Sequence, residues 1–394
     1  MQKSMFPAIV FGGGVNGLGV TRNLGRNGIP VYCVVEKPEQ VIYSKFCKKF
    51  YIVPNIENNI KILSNFLRET KIKSAVLFPT SDLFCLNISA AKEEIEKTYF
   101  MPLSKFDIIR KLINKKEFYG SLSKNNLPYP KTLFPDSLIN ANKMKDEFQY
   151  PVFIKPYESQ EFGMKFNKKG FLANSKKELI KYYKFALKNN IEVMFQEVIP
   201  GTSDNIYGIE GYFDKTSTPI GLFAYRRLRG FPPNFGNTCL RESIPLLAFN
   251  PQVEKTIEYL QKIKYSGLME AEWKWDPQDR LFKLLEINAR QSMQNTLPSR
   301  CGVNLILIAY LNSIGLKFKR VDTYKIGEKW IDFIQDMTSA AISATSPLNW
   351  IRSLNNVKEF SYFAIDDYFP WIISLFETAQ ELSKRFFTNL SSTS

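Results

Sequence analysis

A chain of 394 residues is long enough for two or three structural units with ample apolar core, and its lack of any histidine removes Ser-His and Cys-His nucleophiles, imidazole-bound zinc and imidazole acid–base catalysis. The five cysteines (Cys33, Cys47, Cys85, Cys239, Cys301) are odd in number and never spaced as a metal knuckle, which suits a reducing, cytoplasmic interior. The formal net charge is +15, but the lysines are spread along the chain without an Arg/aromatic cluster, which argues against a nucleic-acid partner, and no apolar run approaches the ~20 residues of a bilayer span.

The N-terminus MQKSMFPAIVFGGG runs into a strand at Ala8–Phe11 and does not read as a signal peptide. Gly12-Gly13-Gly14-Val15-Asn16-Gly17 then opens a helix over 18–27, and Val31–Val35 forms a second strand, a βαβ start. The GxGxxG spacing, with Glu36 after the second strand, fits a dinucleotide site. It fits equally any doubly wound domain whose helix N-terminus faces an anion, so Gly13, Gly14 and Asn16 are candidate substrate contacts. A helix over 59–70 and a strand over 74–79 follow. Asp82, just past the carboxyl end of that strand, is either a substrate contact or a helix N-cap. A helix over 106–114 and the break at Leu127-Pro128-Tyr129-Pro130 put the first domain boundary near residue 112.

The strand Tyr150-Pro151-Val152-Phe153-Ile154-Lys155-Pro156 is apolar except for Lys155, whose charge is costly there unless an anion meets it. A loop over 158–170, an amphipathic helix over 175–190 and the strand at 193–199 come next. The following strands end in Tyr225-Arg226-Arg227-Leu228-Arg229-Gly230, where Arg227 and Arg229 alternate onto one face as clamps for phosphate or carboxylate, ahead of Arg226. Metal-binding groups concentrate in MEAEWKWDPQDRLFKLLEINARQSMQ (269–294). Asp276-Pro277-Gln278-Asp279 reads as a turn, Leu281–Asn288 as a strand with Glu286 and Asn288 on one face, and one of the hairpin registers sets Glu272 beside Glu286. Two carboxylates and an amide suit Mg²⁺ when phosphates complete its octahedron. A buried helix is expected at Leu305–Ser313. The aromatic-rich remainder ends in an amphipathic stretch, 371–387, read as docking on the body or forming a homodimer contact ahead of lying on a membrane surface.

Taken in order, these motifs resemble the carboxylate–amine ligases of the ATP-grasp superfamily, of the carbamoyl-phosphate-synthase-like and D-aspartate-ligase-like kind. The matching residues are Asn114-Lys115, the 151–156 strand, Gln196–Gly201 with its Q-E-x-I-x-G pattern, the basic strand before Pro232-Pro233-Asn234-Phe235-Gly236, and Glu286–Arg290 (E-I-N-A-R). The resemblance spans about 8–320 and implies an α/β chain. A Rossmann-like pre-ATP-grasp domain would occupy 1–112. An α+β ATP-grasp domain of two subdomains clasping ATP would occupy 113–320, with its hinge near 193–201 and a flap near 158–170, and a helical, aromatic extension would occupy 321–394. It implies that Lys115, rather than Lys116, and Lys155 reach the ATP phosphates, that Gln196, Glu197 and Val198 lie at the purine, and that Asp204 lies at the ribose. Glu272, Glu286 and Asn288 would hold two Mg²⁺ ions, or Mn²⁺, and Arg290 would meet the transferring phosphate or the acceptor carboxylate. The activity implied is amide formation through an acylphosphate, releasing ADP and phosphate, on amino acids, peptides or amino sugars. The alternatives are an NAD(P)-dependent Rossmann oxidoreductase and a non-catalytic nucleotide-binding or membrane-associated protein.

Overall fold

All four side chains of Ala8–Phe11 (β1) are buried, as in a strand covered on both faces. It lies inside a parallel sheet of order β3-β2-β1-β4, with β2 at Val31–Val35, β3 at Cys47–Ile52 and β4 at Val76–Pro79. Because the chain leaves β1 toward β2 on one side and returns as β4 on the other, the carboxyl ends of β1 and β4 flank a topological switch point, where such sheets bind ligands. The helix Gly14–Gly25 starts there. A Cβ on Gly17 would stand 2.1 Å from the Gly12 carbonyl oxygen, so glycine is what lets the helix begin so close to the strand.

The computed structural model describes residues 5–157, 162, 166, 168–233, 236–318, 321 and 323–391, with side chains up to 380. Most of the expected flap at 158–170, and Asn234-Phe235, lie outside the described residues. The second sheet is antiparallel, of order β5-β8-β6-β7, from β5 (Thr132–Leu133), β6 (Val152–Pro156), β7 (Phe171–Ala173) and β8 (Val193–Glu197). The helix Lys176–Lys188, N-capped by Ser175, buries Leu179, Tyr183 and Ala186 against it.

The third sheet has seven strands, in the order β13-β12-β9-β10-β11-β14-β15. They are β9 (Ile206–Phe213), β10 (Pro219–Phe231), β11 (Asn237–Ile244), β12 (Gly267–Asp276), β13 (Leu281–Asn288), β14 (Lys329–Ile331) and β15 (Val357–Phe360). Strands from the aromatic C-terminal part thus lengthen the sheet that carries the hairpin. The helix Leu305–Ser313 is apolar on nearly every side and sits in one core with Val10, Val31 and Phe78 of the first sheet and Tyr212 and Phe223 of the third.

The C-terminal segment is tied back to the first unit by Arg22, whose Nε meets Asp367 Oδ2 at 2.9 Å with both side chains 2 % exposed or less. Ser44 Oγ and the Lys45 N–H donate to the same carboxylate, and the helix Phe369–Ser391 packs its early turns against Gln40–Tyr43. Among the described residues no helix is long and apolar enough to cross a membrane. Asp367→Ala, which strands a buried guanidinium, is expected to cost ~3–5 kcal/mol of unfolding free energy in urea titration, and a loss under about 1 kcal/mol would contradict this tie.

Candidate active site

The turn Asp276–Asp279 closes on itself, since Asp276 Oδ1 accepts from the N–H groups of Gln278 and Asp279. From this turn β12 and β13 pair in step as far as Trp273 and Leu284, where an irregularity shifts the register by one residue, so that Glu272 stands directly opposite Glu286 and Glu270 opposite Asn288. The register left open by the sequence is therefore the one that converges two carboxylates and an amide. Asn288 Nδ2 donates to Glu270 Oε2 (3.2 Å), which leaves Oδ1 as the atom available to a cation.

These groups line a cavity of about 780 Å³ between the second and third sheets and the segments past the carboxyl ends of the first. The switch point contributes Asn16, Ser81 and Asp82, and the helix Lys115–Lys124 contributes Lys115 from its first position. The second sheet supplies Lys155, Gln196, Glu197 and Val198, and the third supplies Arg227, Glu272, Glu286, Asn288 and Arg290. Lys115 Nζ lies 3.1 Å from Glu286 Oε2, Arg227 Nη2 2.8 Å from Glu272 Oε1, and Arg290 Nε 2.9 Å from Asp82 Oδ1. Lys155 Nζ donates to Gln196 Oε1 at 2.9 Å.

The charges act on one another. Lys115, helped by Lys155, holds the Glu286 carboxyl well below the usual carboxylate range in spite of its burial. Burial, together with the charge of Lys115, pushes the Lys155 ammonium down to about 8. Burial is the largest single influence on Arg227 and Arg290 and opposes their charge, but Glu272 with Tyr225 and Glu270 around Arg227, and Asp82 with Glu270 and Glu286 around Arg290, together outweigh it, so both are held above the ordinary value. The sequence reading missed Glu270, a buried carboxyl on the cavity wall that accepts from Tyr225 Oη at 2.8 Å. Burial, then the charges of Glu272 and Glu210, push it up to about 7. The available signal was the Glu270-Ala271-Glu272 alternation, which puts both acids on one face.

Other expected residues lie elsewhere. Arg229 pairs with Asp336 (2.7 Å) and Ser353, away from the cavity, because register shifts on either side of it break the alternation that grouped it with Arg227. Asp204 is held by Arg226 at 3.1 Å and does not line the cavity. Lys116 lies over the Tyr157 ring. The N–H groups of Gly13 and Gly14 donate to the Glu39 carboxylate, so the helix N-terminus that a dinucleotide pyrophosphate requires already faces an acid of this chain. Ser81, not Asp82, caps the following helix, which leaves Asp82 to Arg290. The Glu197 carboxylate accepts from the Lys131 N–H and Lys283 Nζ.

No family model matches the chain. It is 26% identical over 326 residues to the D-aspartate ligase of Enterococcus faecium (strain Aus0004), covering 77% of this chain and 76% of that one. The β-γ-ATP complex of biotin carboxylase from Campylobacter jejuni superposes with a TM-score of 0.65 at 14% identity, over 82% of this chain and 74% of the other. The chain has the ATP-grasp fold. The L-amino acid ligase from Bacillus licheniformis shares the ATP-grasp fold with a TM-score of 0.58 at 12% identity, over 79% and 75% of the two chains.

The position of Lys155 in this ATP-grasp cavity makes a proton-linkage test available. Its pKa in the fold lies below its ordinary 10.5, so the unfolded chain holds more protons between about pH 8 and 10.5 and stability gains from this group as pH rises through that window. A polyphosphate in the cavity reverses the shift, and its binding at pH 8 should take up about half a proton. Calorimetry in two buffers of different ionisation enthalpy reads this uptake, which should vanish in Lys155→Met. Equal uptake in that variant would assign the titration to another group.

Proposed function

We propose that the protein is an ATP- and Mg²⁺-dependent carboxylate–amine ligase that forms an amide through an acylphosphate and releases ADP and phosphate. The observation that carries this reading is the meeting, in one cavity, of Glu272, Glu286 and Asn288 with Lys115, Lys155, Arg227 and Arg290. Hard oxygen donors on adjacent strands fit Mg²⁺, and Mn²⁺ accepts the same set. Glu272, Glu286 and Asn288 would hold two such ions, which would supply charge neutralisation for the phosphates. In this reading residues 1–112 form the pre-ATP-grasp domain, 113–320 the ATP-grasp domain with its hinge at 193–201, and 321–394 an extension whose strands lengthen the ATP-grasp sheet.

ATP and a carboxylate repel each other, and the residues act mainly to remove that repulsion. Lys115 and Lys155 hold the α- and β-phosphates, while the backbone around Gln196–Val198 meets the purine. Arg290, oriented by Asp82 where the first unit meets the hairpin, holds the carboxylate in line with the γ-phosphorus, and Arg227 neutralises the charge that builds on the transferred group. An amine arriving deprotonated then opens the acylphosphate, a step that needs no imidazole. Amino acids, peptides and amino sugars fit this chemistry, and the D-aspartate ligase relative favours an amino acid as one partner.

A panel of carboxylate–amine pairs should release ADP and phosphate, with ¹⁸O from the labelled carboxylate recovered in the phosphate. AMP and pyrophosphate as products would mean attack at the α-phosphorus and would sink the acylphosphate route. With a productive pair in hand, Glu286→Gln should lower kcat by ~100-fold or more. Near-parental turnover under saturating substrates would remove Glu286 from the metal set.

A further inference from the structure

At the turn of the β12–β13 hairpin, Glu197, Asp276 and Asp279 bring carboxylate oxygens within 4.8 Å of one another, a spacing that suits a cation. The cation standing there is Lys283. Its Nζ lies 2.6 Å from Glu197, 2.8 Å from Asp276 and 2.5 Å from Asp279, and its side chain is 7 % exposed. Directly across the ladder is Lys274 of β12, whose Nζ donates to the carbonyls of Ile199 (2.8 Å) and Gly201 (3.3 Å). Like charges facing each other across a sheet repel, so this pair persists because each ammonium has its own acceptors. Those acceptors all lie in the hairpin turn or in residues 197–201, the exit from β8.

The hairpin belongs to the third sheet and carries Glu272 and Glu286. Residues 197–201 leave the second sheet beside Gln196–Val198. A nucleotide placed as proposed above spans the two, with phosphates toward the hairpin and purine toward the end of β8. Its affinity therefore depends on the separation between the two sheets at this edge. We infer that Lys283 and Lys274 form a clamp that sets this separation, with Lys283 acting as a positioning residue through Glu197. The inference rests on the proposed ATP-dependent function, and it concerns alignment of the purine end rather than phosphate binding itself.

Calorimetric titration of the full chain with Mg-ATP and with Mg-tripolyphosphate, which has phosphates but no purine, separates the two ends. In Lys283→Met the affinity for ATP should fall about 10-fold while that for tripolyphosphate stays within about twofold of the parent, since a small displacement at one end is felt only by a ligand that reaches it. If Lys283→Met does not fold, Lys274→Met carries the same test. Unchanged ATP affinity in a folded variant, or an equal loss for both ligands, overturns the clamp. A parent protein that binds tripolyphosphate but not ATP, or neither, overturns the nucleotide reading itself, and the parent titration shows this before any variant is made.

Discussion

Glu272 and Glu286 face each other across an antiparallel ladder, where like charges repel and at least partial burial deepens the penalty. The fold around the cavity is arranged to hold this pair. Lys115 comes from a helix that follows the first unit, Lys155 from the second sheet and Arg227 from β10, two strands away from the hairpin. Each cation is itself desolvated; the surrounding acids outweigh that cost for Lys115 and Arg227, which are held above their ordinary values, and only partly offset it for Lys155. The site is thus an exchange of charge among the second sheet, the third sheet and the helix that carries Lys115, and displacing any of them would strand charge in the interior.

That dependence explains why the first unit is fastened at both ends of its switch point. Arg290, two residues past the end of β13, reaches Asp82 just beyond the carboxyl end of β4, and Asn16 at the start of the first helix donates to the carbonyls of Thr80 and Gln291. On the outer side, Arg22 and Asp367 bind the same helix to the C-terminal segment. Asn23 and Asn295 add a hydrogen bond between the helix and the residues after the hairpin. The first unit is held by buried polar contacts as well as by its apolar core, which suits a surface that must present specific groups to a ligand.

The hairpin, the lysine-bearing strand and the βαβ start were legible in the sequence because each rests on a local pattern: period-two alternation, turn chemistry, or glycine spacing. Their order along the chain made the resemblance to ATP-grasp ligases specific, and the fold was what that resemblance implied. What was not legible depends on partners distant in sequence or on broken periods. Arg229 follows the right alternation until irregular pairing with β11 turns it toward Asp336. Glu39, 25 residues after Gly14 in the chain, gives no local sign that it will face the glycine turn. Glu270 shares a face with Glu272, but nothing local marks that it will be buried on the cavity wall beside Tyr225, a partner from another strand. Lys283 reads as a solvated strand position until Glu197, from another sheet, is brought beside it.

The ion pairs of the cavity also bear on how a ligand could enter without unfolding it. A carboxylate that takes up a divalent cation no longer needs its ammonium or guanidinium partner, and the cation so released no longer has a partner of its own. Lys115 and Arg227, freed from Glu286 and Glu272, would meet the phosphates that arrive with the metal, so every buried charge changes partner and none is left alone. In the proposed function, binding of metal and of polyphosphate would be coupled by this exchange. Metal alone would strand the two basic side chains, and polyphosphate alone would add anions beside Glu272 and Glu286, so each disfavours separate entry and favours the pair.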